Sequence, residues 1–158
     1  RSAERTFQLL TQVAGRSGRS SLGGEVIVQT FYPDHYALKS SSKHDFKEFY
    51  QKEIEFRSSL GYPPDKRLMS ITFRGYNEAM VRSECERCSL SLQTYKNGET
   101  DILGPAPALR QKLHGKFRWQ LILKAPHLNV KSICDNLHAL KIKKGILVSS
   151  EIDPVSLL

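Results

Sequence analysis

Residues 117–125 read Phe117-Arg118-Trp119-Gln120-Leu121-Ile122-Leu123-Lys124-Ala125. On an extended chain, Phe117, Trp119, Leu121 and Leu123 fall on one side, and Arg118, Gln120 and Lys124, with Ile122, fall on the other. Such a strand suits a sheet with one buried face and one open face. Trp119 shares its side with leucines and reads as core, with a base-stacking platform as the other reading. Working outward, strands are expected at 68–74, 100–103 and 146–152, and helices at 77–93 and 131–140. The order is β-α-β-β-α-β, the split ferredoxin-like arrangement, in which two helices cover one face of a single sheet. The fold class is α/β.

Upstream, Phe7, Leu10 and Val13 are spaced to load one face of a helix. Residues 25–30 read as a short strand through Val26, Ile27 and Val28. Residues 32–42 read as a linker, with Pro33-Asp34 as a turn and Ser40-Ser41-Ser42 of little packing value. Asp45 offers an N-cap for one amphipathic helix over 45–60, which Gly61 and Pro63-Pro64 stop.

Between the first helix and the strand lies Gln12-Val13-Ala14-Gly15-Arg16-Ser17-Gly18-Arg19. Two guanidiniums stand three residues apart, each directly after a glycine, which is read as relieving the backbone at a bend. A planar, permanently charged fork grips two oxygens at once, so the pair suits phosphate. A solvated basic loop has the same composition and is the second reading.

The chain has 158 residues and a formal net charge of +8, which favours a polyanionic partner without naming it. Its hydrophobic fraction of 39% and charged fraction of 25% are those of a folded globular protein. It starts at Arg1 with a helical stripe under way, as expected of a piece of a longer polypeptide. With no apolar run of bilayer length and no charged-then-apolar leader, the expected compartment is the cytoplasm, without membrane insertion.

Gln-x-x-Gly-Arg-x-Gly-Arg resembles motif VI of the superfamily 2 helicases. The stretches at 24–30, 33–36, Leu60-Gly61-Tyr62-Pro63-Pro64, 102–108, Arg118-Trp119-Gln120-Leu121 and Asp153-Pro154 extend the likeness, so that the whole chain resembles the end of the PriA family of bacterial replication-restart helicases. The resemblance implies three parts: the tail of a RecA-like second motor lobe at 1–34, a linker with one helix at 35–66, and a C-terminal α/β domain at 67–158. That domain, in the family, is similar to a ribosomal small-subunit protein. It further implies an ATP-dependent 3′-to-5′ DNA helicase that restarts stalled forks and initiates primosome assembly. Arg16 and Arg19 would be the catalytic pair that meets the terminal phosphate of ATP. Gln12, Gly15 and Gly18 would serve nucleotide binding, Gln12 by hydrogen bonding and the glycines by backbone clearance. Branched and single-stranded DNA, single-strand-binding protein and primosome proteins are the implied partners.

No Gly-x-x-x-x-Gly-Lys-[Ser/Thr] loop and no paired acidic motif for magnesium occurs in the chain, so ATP and Mg²⁺ are expected to be held by a lobe outside it. Alone, the chain is expected not to hydrolyse ATP. Cys85-x-x-Cys88 with Cys134 and His138 invites a zinc reading. Val81, Cys85, Cys88 and Leu92, however, follow helical spacing and read as a core stripe, so no metal site is expected here. The zinc that the family implies for the full-length protein has its ligands outside this chain.

Arg110, Lys112, His114, Lys116, Arg118 and Lys124 lie along an expected loop and the strand after it. Lys112, Lys116 and Arg118 are the DNA-contact candidates, with a solvated charged face as the alternative. Two rivals to the motor reading stay open: a nucleic-acid-binding module without a motor, and a protein-interaction domain that pairs through its exposed sheet.

Overall fold

A computed structural model describes residues 1–17, 24–96 and 98–155. They form two compact units, Arg1–Leu60 and Gly61–Leu158.

The second unit holds β1 (Arg67–Gly75), α4 (Glu78–Leu92), β2 (Asp101–Leu113), β3 (Lys116–Ala125), α5 (Val130–Ala139) and β4 (Leu147–Ile152), with α1 to α3 in the first unit. The sheet order is β2-β3-β1-β4 and every neighbouring pair is antiparallel, as the expected β-α-β-β-α-β alternation requires. Period-two sorting of side chains decides the layers. Met69, Ile71 and Phe73 of β1 stand opposite Leu123, Leu121 and Trp119 of β3, and all six are buried against Val81, Cys85, Cys88 and Leu92 of α4 and Ile133 of α5. Each large side chain buried there contributes about 1.5–3 kcal/mol. Asn77 and Asn129 cap the two helices by accepting the N–H groups of Met80 and Ser132.

The strand expected over 100–103 runs on to Leu113. Gly104, Pro105 and Pro107 read as breakers in the sequence, yet β2 is an edge strand, where proline is tolerated, and it takes two register shifts. Gly104 has φ +100, and a Cβ there would lie 2.7 Å from the carbonyl oxygen of Gln120. Beyond β4, Asp153 clasps β1: its carboxylate accepts the Leu68 N–H at 2.9 Å, and its own N–H donates to the Leu68 carbonyl at 2.8 Å.

The first unit contains α1 (Ser2–Ser17), α2 (Tyr36–Ser42) and α3 (Phe46–Ser59). Residues 35–66 therefore carry two helices where one was expected. His35 caps α2 through Nδ1, which accepts the Ala37 N–H, and Ser40 and Ser41 are buried rather than lax. Asp45 caps α3 as expected. Phe7, Ala37 and Phe49 form the core, with Phe7 stacked on Phe49 at 4.4 Å between ring centroids. Tyr36 donates to Glu53, which pairs with Arg57, and Arg57 reaches Glu4 at 2.9 Å, so one polar chain ties the three helices. Residues 24–31 adopt neither helix nor strand. Val26, Ile27 and Val28 have the right residue types, but a strand needs a ladder partner, and none pairs with them among the described residues.

Candidate nucleic-acid interface

The hairpin of β2 and β3 turns at His114-Gly115, both with positive φ, and pairs Lys112 with Phe117 and Leu113 with Lys116. Since side chains directly opposite each other share a face, this register separates the three candidate cations. Lys116 and Arg118 stand on the face that carries Gln120, away from the helices. Lys112 goes with Phe117 and Trp119, its Nζ 4.7 Å from the Phe117 ring centroid. The expected line of Lys112, Lys116 and Arg118 is thus divided across the hairpin. Lys112 also belongs to a strand, because the expected loop is pairing strand up to Leu113.

Sequence reading left out Arg74. It lies directly opposite Arg118 on the central pair of strands, on the same open face. Alternation in 68–74 puts Arg74 on the polar side of its strand, but only the register makes it a neighbour of Arg118. Tyr76 follows at the end of β1, largely exposed, with the Lys116 ammonium 5.4 Å from its ring centroid. The next row across the sheet is neutral, with Ser149, Thr72 and Gln120, and the carboxylates of this face, Glu151 and Asp101, stand towards the opposite end. There Asp101 is opposite Lys124 and is bridged by Lys66 at 3.1 Å. Positive charge on the open face is therefore gathered at the hairpin end.

In the first unit, α1 continues through Gly15 and Arg16 to Ser17, so the backbone does not bend at Gly15. A helix tolerates one glycine at a cost of about 1 kcal/mol relative to alanine, and a Cβ at Gly15 would meet nothing within 4 Å. No clearance within the described residues demands that glycine. Gln12 and Arg16 are exposed, and Gln12 lines a groove of about 580 Å³ with Phe7, Phe46, Tyr50 and Ile54. Gly18 and Arg19 lie outside the described residues.

Cys85 and Cys88 are fully buried, and burial pushes both thiols up to about 12, so neither is a thiolate near neutral pH. Cys134 is half-buried against the same core. Among the described residues no group of three or more His, Cys, Asp or Glu stands together, and no helix is long and apolar enough to cross a membrane.

Residues 58–155, which take in the whole four-stranded sheet and its helices, match the family described as Primosomal protein N C-terminal domain (PriA_C). The chain belongs to this family. Relatives of the PriA_C chain named "Replication restart protein PriA" align along all or nearly all of it. The Bacillus subtilis protein is 32% identical, over 100% of this chain and 20% of its own length. The Synechocystis protein is 33% identical, over 99% and 19%, and the Treponema pallidum protein 34%, over 100% and 24%. The PriA_C chain spans about a fifth to a quarter of the length of these curated relatives.

Proposed function

We propose that the chain is the C-terminal part of an ATP-dependent 3′-to-5′ DNA helicase that restarts stalled replication forks and initiates primosome assembly. The observation that carries this reading is the alignment of the chain, end to end, with proteins named for replication restart. In this scheme Arg16 and Arg19 meet charge on the terminal phosphate of ATP. Gln12 hydrogen-bonds near the nucleotide, and Gly15 and Gly18 serve it by backbone clearance rather than by chemistry. ATP and Mg²⁺ are bound mainly by a first lobe outside this chain, and zinc by ligands that are also outside it. The exposed Ile27, Phe31, Phe46, Tyr50 and Phe56 support a first unit that packs against more protein.

The sheet domain contacts branched DNA through phosphates, with Lys116 and Arg118 on its open face and Lys112 on the other side of the hairpin. Single-strand-binding protein and primosome proteins are the protein partners, and the compartment is the cytoplasm. The test is binding of the chain to a forked duplex across a salt series. Neutralising two phosphate contacts is worth a slope of about 1.8 in log K against log salt, so Lys116→Ala with Arg118→Ala should flatten the slope by nearly that amount. An unchanged slope overturns the DNA-contact assignment.

A further inference from the structure

Three rings at the hairpin end of the sheet each carry a cation: Arg82 stands 5.5 Å from the centroid of Trp119, Lys112 4.7 Å from Phe117 and Lys116 5.4 Å from Tyr76. Their surroundings differ. Trp119 is 9% exposed and belongs to the core, and Phe117 is half-buried, but Tyr76 is 72% exposed. A ring so open contributes little burial energy, so packing does not call for a tyrosine there. Its place is nonetheless defined. A Cβ at Gly115, in the hairpin turn, would lie 3.8 Å from Tyr76 Cε1, and Asn77, the next residue, is anchored as the cap of α4. Single exposed hydrophobics are ordinary on a surface. Here, however, Leu113, directly opposite Lys116, and Leu147, directly opposite Arg74, are exposed as well. The turn at 144–145 lies against the same strand end, since a Cβ at Gly75 would come 3.2 Å from the Gly145 carbonyl oxygen, and Lys144 in that turn is exposed. Flat or apolar side chains and cations are thus interleaved at this end of the sheet.

We infer that Tyr76 is a base-stacking residue: one base of a single-stranded DNA segment lies on its ring while Lys116, beside that ring, holds a phosphate of the same strand. The inference rests on the DNA-contact reading above and adds what that reading lacks, a contact to a base. Phosphate contacts hold paired and unpaired strands alike, whereas a base offers its plane to an aromatic side chain only where it is unpaired. A ring and an ammonium 5.4 Å apart are close enough for one nucleotide to touch both. The stacking platform that the sequence suggested as a second reading of Trp119 is therefore assigned to Tyr76, because burial and Arg82 close off the tryptophan. The occupant is a nucleic-acid strand rather than an acidic peptide. A peptide satisfies the cations of a chain of net charge +8 and leaves the exposed ring without a matching plane.

The test is fluorescence anisotropy of the chain over a salt series with two labelled single strands of equal length, oligothymidylate and its abasic counterpart, comparing the parent with Tyr76→Ala, Tyr76→Phe and Lys116→Ala. Tyr76→Ala should weaken binding to oligothymidylate about tenfold and leave the slope of log K against log salt unchanged, because a neutral side chain neutralises no phosphate. Tyr76→Phe keeps the ring and should bind within about twofold of the parent. Lys116→Ala should flatten the slope by about 0.7. On the abasic strand the parent and Tyr76→Ala should bind alike. Equal affinity of the parent for the two strands overturns the stacking site without recourse to any variant. Unchanged binding by Tyr76→Ala beside a flattened slope for Lys116→Ala also overturns it and leaves the DNA reading standing. A slope that Tyr76→Ala flattens as far as Lys116→Ala does shows that the ring only orients the lysine, and overturns it too. A parent chain without salt-dependent binding to either strand overturns the DNA reading itself.

Discussion

Glu84 is a carboxylate with no solvent exposure inside the helix layer, and replacing it with glutamine isolates what its charge does. Its Oε2 accepts from Arg87 Nη2 at 2.5 Å, and Lys143 approaches at 3.5 Å with both its ammonium and its backbone N–H. Arg87 in turn donates from Nη1 to the Leu140 carbonyl at 2.7 Å, at the end of α5. Glu84 thereby holds the arginine that ties α4 to α5. Breaking a buried ion pair costs about 3–5 kcal/mol when the partner is stranded. The Arg87 side chain is 41% exposed and can rehydrate, which lowers the cost. For Glu84→Gln a loss of about 2 kcal/mol follows, or about 8–16 °C in melting temperature for a domain of this size. The single tryptophan, Trp119, lies in the sheet core, so its fluorescence reports the unfolding of this unit alone. The hydrogen bond from Arg87 holds the Glu84 carboxyl below its ordinary value of 4.5, against the opposing effect of burial. A depressed folded pKa gives stability that is complete above the unfolded value and disappears as pH falls through the folded one. The gap between parent and Glu84→Gln should therefore be widest near neutral pH and close below about 4.5. A midpoint within about 0.5 kcal/mol of the parent at pH 7, or a gap that persists unchanged in acid, refutes the reasoning.

Gly104→Ala should destabilise the sheet domain by about 2 kcal/mol or more, from left-handed backbone and contact with a carbonyl that cannot yield, again read by Trp119 fluorescence; a neutral effect would show that β2 can shift there. The isolated chain should show no DNA-stimulated ATP hydrolysis, measured as phosphate release. Turnover that survives re-purification would contradict the assignment of the ATP and Mg²⁺ ligands to a lobe outside it.

The sheet domain was legible because its two central strands alternate, Leu68 and Ile122 apart, and its helices carry both a stripe and an Asn cap. β2 was legible only at its start. Gly104, Pro105 and Pro107 are breakers in a central strand and acceptable on an edge, and edge position is a tertiary fact. For α2 the serines misled, since Ser40 and Ser41 look like loop residues until burial and the His35 cap are known. In residues 25–30 local preference pointed to a strand, but a strand depends on what pairs with it. The basic hairpin was visible as composition. Which of its cations share a face was not, because a strand's register decides that, and the same register brings Arg74 to Arg118 across 44 residues of sequence.

The most direct test of the helicase reading is Arg19→Ala in the full-length protein, with nucleotide binding and hydrolysis measured separately. The account predicts that nucleotide still binds while hydrolysis falls about a thousandfold or more, as for loss of an arginine that contacts the departing phosphate. A fall of less than about tenfold would contradict it.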